Sequence, residues 1–223
     1  MIHVLKSNWR IDSSIIDAFR SLDVATVYEA SGRKGFIENA IKPAAQGNRL
    51  CGLAYTVQCA PGDNLMLHKA LQRAPAGVVI VASVGGMYNF GYWGGMMAAA
   101  AKARGLTGLA IDGCIRDSAE IAKMQFPVFC RGFSIKGTTK ATLGLINYPL
   151  NFGQATIFPG DLVLGDADGM VVVRIEDCEE VLEKSLKRVE FEKGKVAQLK
   201  SGVSSVELNK LGPVFESLGM VEE

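Results

Sequence analysis

One short segment carries the side chains best suited to chemistry. The run GCIRDSAE, residues 113–120, places Arg116, Asp117 and Glu120 close together in the chain. A planar guanidinium can hold a carboxylate or an enolate through paired hydrogen bonds. Carboxylate oxygens are the ligands that hard ions such as Mg²⁺ and Mn²⁺ prefer. The segment therefore predicts a site where a small, oxygen-rich anion meets a divalent metal.

A glycine-rich stretch earlier in the chain predicts the other half of this site. Its glycines are Gly85, Gly86, Gly91, Gly94 and Gly95. A helix pattern follows, MMAAAAKARG, and leads into a strand pattern at 106–112. In a parallel strand–helix–strand unit, the amino end of the helix and the carboxyl end of the second strand share one edge of the sheet. We therefore expect the Gly94–Met97 turn to meet Arg116 and Asp117, with backbone N–H groups that suit an anion.

The same residues also fit a purely structural arrangement. Arg116 would then form a salt bridge with Asp117 or Glu120, and the pair would cap the helix that begins after it. Exposed ion pairs of this kind are common and contribute little to stability. Spacing alone does not decide between this arrangement and an active site.

The sequence lacks the patterns of several other catalytic sites. It has no G-x-G-x-x-G, no C-x-x-C and only two histidines, His3 and His68, which argues against dinucleotide, zinc and triad sites. His68 lies in an apolar helical segment, where a partly buried histidine beside a pocket is favoured over a catalytic base. The run GFSIKGT, residues 132–138, resembles a phosphate loop but lacks the lysine after its second glycine. No lysine is expected in the site, which makes a Schiff-base aldolase the weaker alternative.

Hydrophobic periodicity predicts the elements that must position these residues. Helical patterns cover 12–31, 65–74, 96–105 and 118–125, and a long amphipathic helix runs from Asp177 toward Lys200. Strand patterns cover 52–59, 78–83, 106–112, 127–133, 154–158, 162–169 and 170–175. Residues 32–51 are predicted to form a loop. Together these elements indicate a mixed α/β protein with parallel strand pairs.

Bulk composition indicates a folded globular protein. The chain has 223 residues, of which 48% are hydrophobic and 21% charged, and its net charge is +1. This balance gives no reason to expect nucleic acid or an anionic membrane as a partner. The N-terminus lacks a secretory pattern, and no apolar run approaches the ~20 residues of a membrane helix. Five widely spaced cysteines in mostly apolar context suit reduced thiols, so we expect a cytoplasmic location.

The spacing Gly95-x20-Arg116-Asp117-x2-Glu120 resembles the signature of the RraA-like family. This family includes 4-hydroxy-4-methyl-2-oxoglutarate aldolases, and its namesake is a regulator of ribonuclease activity. Further segments look like family segments in family order, over roughly residues 20–200. They are LCGLAYTV, APAGVVIV, AKARGLTGLAIDGCIRD, CRGFSIKG and FPGDLVLGDADGMVVV.

The resemblance implies a more specific fold and assembly than composition does. It implies a layered α-β-β-α sandwich of the swivelling β/β/α type with a long C-terminal helix. The chain would form a single RraA-like domain over 1–223, with a core at about 20–176 and a C-terminal helix and tail at 177–223. The family assembles as homotrimers or homohexamers, with the active site between subunits.

The resemblance also implies how a substrate is bound. In family enzymes the backbone at the helix start binds the substrate carboxylate, which points to Gly94, Gly95, Met96 and Met97. The motif arginine, Arg116 here, contacts the 2-oxo oxygen of the substrate. We name Asn64, His68 and Tyr88 as candidate contacts for the distal part of the substrate.

Carboxylates complete the implied site. The motif aspartate, Asp117, ligates Mg²⁺ in the family, and Mn²⁺ or another divalent ion could replace it. Some family aldolases have an aspartate at the position of Gly95 that holds a metal-bound water, and in this chain Glu120 would take over that role. A further acid comes from a neighbouring subunit. Glu192 is the candidate and Glu190 the reserve, although a solvated acid on an exposed helix explains either equally well.

The implied activity is metal-dependent carbon–carbon bond cleavage. The chain would cleave 2-oxo-4-hydroxy acids of the 4-hydroxy-4-methyl-2-oxoglutarate type to pyruvate, as in the catabolism of aromatic compounds. Oxaloacetate would lose CO₂ through the same pyruvate enolate. The alternative is a protein-binding regulator of ribonuclease E with a vestigial pocket, but a binding surface of that kind needs no Arg-Asp-x-x-Glu constellation.

Overall fold

Helices and short strands alternate along the chain, and the computed structural model describes all residues from 1 to 223. The helices are α1 Ser13–Phe19, α2 Val24–Ala30, α3 Leu65–Arg73, α4 Gly95–Ala103, α5 Ser118–Lys123, α6 Cys178–Lys200, α7 Ser205–Leu208 and α8 Gly212–Ser217. The strands are β1 Lys42–Pro43, β2 Leu50–Gln58, β3 Val78–Ser83, β4 Gly91–Trp93, β5 Gly108–Asp112, β6 Cys114–Ile115, β7 Val128–Cys130, β8 Gly132–Phe133, β9 Leu145–Ile146, β10 Leu150–Phe152, β11 Ala155–Ile157, β12 Leu162–Gly165 and β13 Met170–Val173.

An eight-stranded sheet forms the framework. Its strand order is β1-β7-β5-β3-β2-β12-β13, and β9 pairs with β2 outside this path. Strands β2, β3, β5 and β7 are parallel, whereas β12 and β13 join in antiparallel fashion. Ser83 of β3 pairs with Asp112 of β5, so both strands end at the same edge. The predicted parallel pairing of segments 78–83 and 106–112 is therefore confirmed.

The central strands are buried on both faces because they are apolar at nearly every position. On one face, Ile80 and Leu109 pack into a core shared with α3, α4 and α5. On the other face, Val79 and Val81 pack against the β10–β11 hairpin, which contributes Phe152. Alternating side chains of the same strand thus supply two separate cores.

Helices α1, α2 and α6 cover the β12–β13 end of the sheet. Phe19, Val27 and Val181 of these helices pack against Leu164 and Val171 in a third apolar cluster. Helix α6 is 23 residues long, which confirms the predicted C-terminal helix. Beyond it, α7 and α8 occupy a tail for which the sequence predicted no elements.

A small parallel sheet of β4, β6 and β8 continues past the carboxyl edge of the main sheet. Two sequence predictions were wrong here. The glycine-rich stretch, predicted as a loop, contains strand β4, and the strand predicted at 127–133 is divided between β7 and β8. The division occurs at Arg131, immediately before Gly132, whose φ of +153° is a conformation that other residues rarely adopt.

The mixed α/β fold class is confirmed. Helices cover one face of the main sheet, a second β layer covers the other, and a long helix closes the chain. None of the helices combines the length and the apolar character that crossing a bilayer requires.

Candidate active site

The start of α4 is the backbone half of the site. Gly94 is the N-cap and Gly95 the first helical residue, and neither carries a side chain that could cover the helix end. The Gly95 N–H donates to Oδ2 of Asp117 at 3.0 Å. The Met97 N–H donates to the Gly94 carbonyl at 3.0 Å, which leaves the amides of Gly94 and Met96 at the open end of the helix. Such amides, together with the helix dipole, attract anions.

The motif side chains pack directly against these two glycines. A Cβ atom on Gly94 would lie 2.6 Å from Oδ2 of Asp117 and 3.2 Å from Nε of Arg116. A Cβ atom on Gly95 would lie 2.6 Å from Cδ of Glu120. The structure therefore brings together the helix start, the guanidinium and both carboxylates, as the strand–helix–strand argument predicted.

The small sheet positions Arg116. The Arg116 N–H donates to the Trp93 carbonyl at 2.8 Å. On the other side, the Ser134 N–H, which follows β8, donates to the Ile115 carbonyl at 2.9 Å. Trp93 is buried and stacks on Phe126 with a centroid distance of 6.3 Å, which anchors β4 in the helical core. The backbone of Arg116 is thereby fixed while its side chain remains free.

Arg116 and Asp117 form a long, exposed ion pair that contains no hydrogen bond. Nε of Arg116 lies 3.7 Å from Oδ2 of Asp117, which is too long for a hydrogen bond. The two side chains are 50% and 43% exposed. The guanidinium makes no hydrogen bond within the protein, so its donors are available to a ligand. An exposed pair of this length contributes little to stability and leaves the guanidinium able to bind a ligand.

Asp117 has an unusual backbone conformation. Its φ of +57° and ψ of +34° are left-handed, a region that costs free energy for residues other than glycine. It is the N-cap of α5, yet its side chain makes no capping bond there and instead accepts from the Gly95 N–H of α4. This conformation directs the carboxylate away from α5 and toward the start of α4. Sequence analysis gave no signal for this conformation.

Arg131 holds the strand end that precedes the motif. Its Nε donates to Asp112, and its Nη2 lies 2.5 Å from Oε2 of Glu38. Its guanidinium also stacks on the Tyr88 ring, 4.3 Å from the centroid. The two carboxylates compensate the partly buried charge and raise the pKa of Arg131, against the lowering effect of burial. Tyr88 therefore packs on the Arg131 guanidinium and does not line the cavity, contrary to our expectation of a substrate contact.

A cavity of about 220 Å³ opens in front of the motif. It is lined by Asn64, His68, Gly91, Tyr92, Gly94, Met96, Met97, Arg116, Asp117, Gly137, Thr138 and Lys140. The expectation that no lysine lies in the site is wrong, because Lys140 lines its far side. Gly137 and Thr138 belong to the segment that only resembled a phosphate loop. These residues come from a loop far along the chain, so spacing could not reveal them.

The far side of the cavity is polar and cationic. His68 borders it with an exposed side chain, and partial desolvation of its ring together with the Lys140 charge lowers the pKa of His68. Asn64 is buried, and its Nδ2 donates to the Tyr92 carbonyl at 2.8 Å. The Asn64 Oδ1 atom has no partner, which leaves one buried acceptor at the cavity.

Glu192 and Glu190 lie elsewhere within one chain. Oε1 of Glu192 is 2.8 Å from Nε of Arg188, and Glu190 pairs with Lys193 at 2.6 Å. Both acids are on α6, which packs on α1 and α2 rather than on the elements around the cavity. Delivery of Glu192 to a neighbouring site remains a prediction.

The carboxylates present fit a magnesium-type ion. Asp117 and Glu120 both lie against the start of α4, and no group of three acidic, histidine or cysteine side chains gathers in the structure. Mg²⁺ commonly binds through one or two carboxylates, with water and substrate oxygens completing its octahedron. The donor set is therefore suitable for Mg²⁺ or Mn²⁺ and unsuitable for zinc.

Comparison with known proteins gives consistent matches. A family model described as "RraA-like: Aldolase/RraA" matches residues 13–172. A protein of Halalkalibacterium halodurans, named "Putative 4-hydroxy-4-methyl-2-oxoglutarate aldolase", is 37% identical over 173 residues, which cover 78% of this chain and 82% of that protein.

Solved structures show the same fold. A crystal structure from Pseudomonas syringae pv. tomato superposes with a TM-score of 0.80 at 29% identity, covering 91% of this chain and 98% of the other. Streptomyces coelicolor RraAS2, described as "an unusual member of the RNase ES inhibitor RraA protein family", superposes with a TM-score of 0.75 at 25% identity. That match covers 83% of this chain and 96% of RraAS2.

Replacement of Gly95 by alanine tests the close approach at α4. The new Cβ meets the flexible end of Glu120 rather than backbone, so we expect Glu120 to move while the fold persists. Affinity for Mg²⁺, measured by isothermal titration calorimetry, should fall about tenfold, the usual scale for disturbed metal-site partners. The matched control is Gly194→Ala on α6, where a Cβ meets nothing within 4 Å. Unchanged Mg²⁺ affinity in Gly95→Ala would contradict a role for Glu120.

Proposed function

Because the chain belongs to the RraA-like family, we propose that it is a carbon–carbon lyase that depends on a divalent metal. Its substrates would be 2-oxo-4-hydroxy acids of the 4-hydroxy-4-methyl-2-oxoglutarate type, which yield pyruvate, with oxaloacetate decarboxylation as a second activity. One observation carries the proposal. The open start of α4, the Arg116 guanidinium and the Asp117 carboxylate line one cavity, and the Glu120 carboxylate lies beside it against Gly95.

The helix start and Arg116 would bind the 2-oxo acid end of the substrate. The free amides at Gly94 and Met96 suit the C1 carboxylate, because helix N-termini bind anions. The Arg116 guanidinium would donate to the 2-oxo oxygen, where negative charge grows as the enolate forms. Donors preorganised at such an oxygen lower the barrier by several kcal/mol.

Asp117 and Glu120 would hold Mg²⁺ or Mn²⁺, which when bound polarises the 2-oxo group as a Lewis acid. The Glu120 carboxylate also offers a proton acceptor for the 4-hydroxyl of the substrate. Glu192 of a second subunit would supply another acceptor. Decarboxylation of oxaloacetate needs the same stabilised enolate oxygen, and so Arg116 and the carboxylates that would hold the metal, but it needs neither Glu120 nor Glu192 as a base.

The far side of the cavity favours a dicarboxylate substrate. Lys140 is exposed and cationic, which suits a second carboxylate better than imine chemistry, because Schiff-base lysines are activated by desolvation. The cavity of about 220 Å³ has room for a short-chain acid.

Replacement of Arg116 by alanine tests the enolate-stabilising role. We expect kcat for pyruvate release to fall about 10²–10³-fold, the usual loss for one oxyanion donor. Stability should not change, because the side chain makes no hydrogen bond in the protein. The assay couples pyruvate to lactate dehydrogenase with Mg²⁺ present or chelated by EDTA. It compares 4-hydroxy-4-methyl-2-oxoglutarate, 4-carboxy-4-hydroxy-2-oxoadipate and oxaloacetate.

The control for this experiment is Arg33→Ala, which removes an exposed arginine paired only with Glu29. Near-normal turnover in Arg116→Ala, or full activity in EDTA, would exclude the mechanism. Tight binding of ribonuclease E that survives loss of Arg116, together with no lyase turnover in the wild type, would favour the regulator instead.

Replacement of Lys140 by alanine tests dicarboxylate recognition. Loss of one carboxylate contact should raise KM for 4-hydroxy-4-methyl-2-oxoglutarate about tenfold, since hydrogen bonds to charged groups contribute roughly 1.5–3 kcal/mol. Inhibition by pyruvate, which has no second carboxylate, should stay the same. Lys136→Ala is the matched control, because Lys136 stacks on Phe90 and does not line the cavity. Equal weakening of 4-hydroxy-4-methyl-2-oxoglutarate and pyruvate binding would contradict the role of Lys140 as the contact for the second carboxylate.

Co-expression of two inactive variants tests the shared site between subunits of a homotrimer or homohexamer. With 4-hydroxy-4-methyl-2-oxoglutarate as the substrate, Glu192→Gln and Arg116→Ala should each be inactive alone. In random mixtures about a quarter of the sites would pair an intact Arg116 with an intact Glu192 of the neighbour, as closed ring symmetry requires. Recovered pyruvate release measures this fraction, and Glu190→Gln serves as the active control. A mixture with no recovered activity would place Glu192 outside the neighbouring site.

A further inference from the structure

Asp63 is a buried carboxylate that has no part in the proposed chemistry, yet it collects hydrogen bonds from two separate segments. The residue is 1% exposed and precedes α3. Its Oδ1 accepts from the Leu65 N–H at 2.8 Å. Its Oδ2 accepts from the Ala141 N–H at 2.6 Å, the Thr142 N–H at 3.1 Å and the Thr139 hydroxyl at 2.9 Å.

These bonds join the two sides of the cavity's far wall. Asn64 and His68 belong to the start of α3, whereas Thr138 and Lys140 belong to the segment 134–144. That segment contains no helix or strand, so its own backbone cannot fix the position of Lys140. Two backbone bonds supplement the Asp63 contacts, from the Asn64 N–H to the Thr139 carbonyl and from the Thr139 N–H to the Gly62 carbonyl.

The charge of Asp63 is stabilised by its donors. Burial by itself raises the pKa of Asp63, but the four hydrogen bonds more than compensate, so the pKa lies below its usual range. Ala141 and Thr142 would lose the acceptor for their N–H groups if this carboxylate were removed. Both residues are exposed, so their released N–H groups could bond to water and the segment would be free to move away from α3.

We propose that Asp63 is a positioning residue that sets the distance between Lys140 and the start of α4, and so determines which distal substituents the site accepts. This inference deepens the proposed function and rests on it. A structural role alone would lower stability and affect every ligand equally. A positioning role would affect only ligands that reach the far wall.

The test is Asp63→Asn, which keeps the size of the side chain but replaces one acceptor oxygen by a donor. We expect KM for 4-hydroxy-4-methyl-2-oxoglutarate to rise about tenfold and kcat to change less than about threefold, the pattern of lost ground-state binding. Inhibition by pyruvate should stay at the wild-type value. Amide hydrogen exchange at Ala141 and Thr142 should become faster.

Asp166→Asn is the matched control. Asp166 is also buried and also accepts backbone N–H bonds, from Val24 at 2.8 Å and Asp168 at 3.0 Å, but it does not line the cavity. Thr139→Val provides a milder probe, since it removes only the hydroxyl donor to Asp63. It should raise the same KM only about threefold, because a single neutral hydrogen-bond donor contributes less binding free energy.

Several outcomes would overturn the inference. Unchanged exchange at Ala141 and Thr142 in Asp63→Asn would show that Asp63 does not hold the segment. Faster exchange with an unchanged KM, or an equal loss for pyruvate, would show that the position of the segment does not control selection. A wild-type protein that releases no pyruvate would instead overturn the proposed function, and this inference with it.

Discussion

The site depends on the absence of side chains at the start of α4. Gly94 and Gly95 let two carboxylates and a guanidinium approach the helix end so closely that a methyl group at either position would collide with them. A helix start is electropositive, so it stabilises both the nearby carboxylate of Asp117 and any bound anion. The same two glycines therefore determine the shape of the pocket and its preference for negatively charged ligands.

The surrounding architecture keeps the backbone rigid and leaves the reactive side chains free. The small sheet of β4, β6 and β8 holds the Arg116 backbone, and Arg131 ties the preceding strand end to two other segments. Arg116 itself makes no hydrogen bond in the protein and is half exposed. A ligand can therefore engage its donors without first breaking a protein contact, which reduces the cost of binding.

The two walls of the cavity are built in different ways. The wall at α4 is part of a helix and a sheet, and its geometry follows from their backbone hydrogen bonds. The far wall is an irregular segment held by the buried carboxylate of Asp63 and by two backbone hydrogen bonds at Thr139. A wall held by side-chain contacts can change its spacing with few substitutions, which suits the part of a site that distinguishes between substrates.

The sequence by itself determined the central strands, most of the helices and the meeting of the motif with the start of α4. Apolar runs defined the buried parallel strands 78–83 and 106–112, and strand direction then required the Gly94–Met97 turn to meet Arg116 and Asp117. These are local patterns joined by one topological rule, so they can be read without a structure. The features that depend on long-range contacts were decided only by the tertiary structure. The bond from the Gly95 N–H to the left-handed Asp117 and the arrival of Lys140 depend on segments that are distant in the chain and meet only after folding.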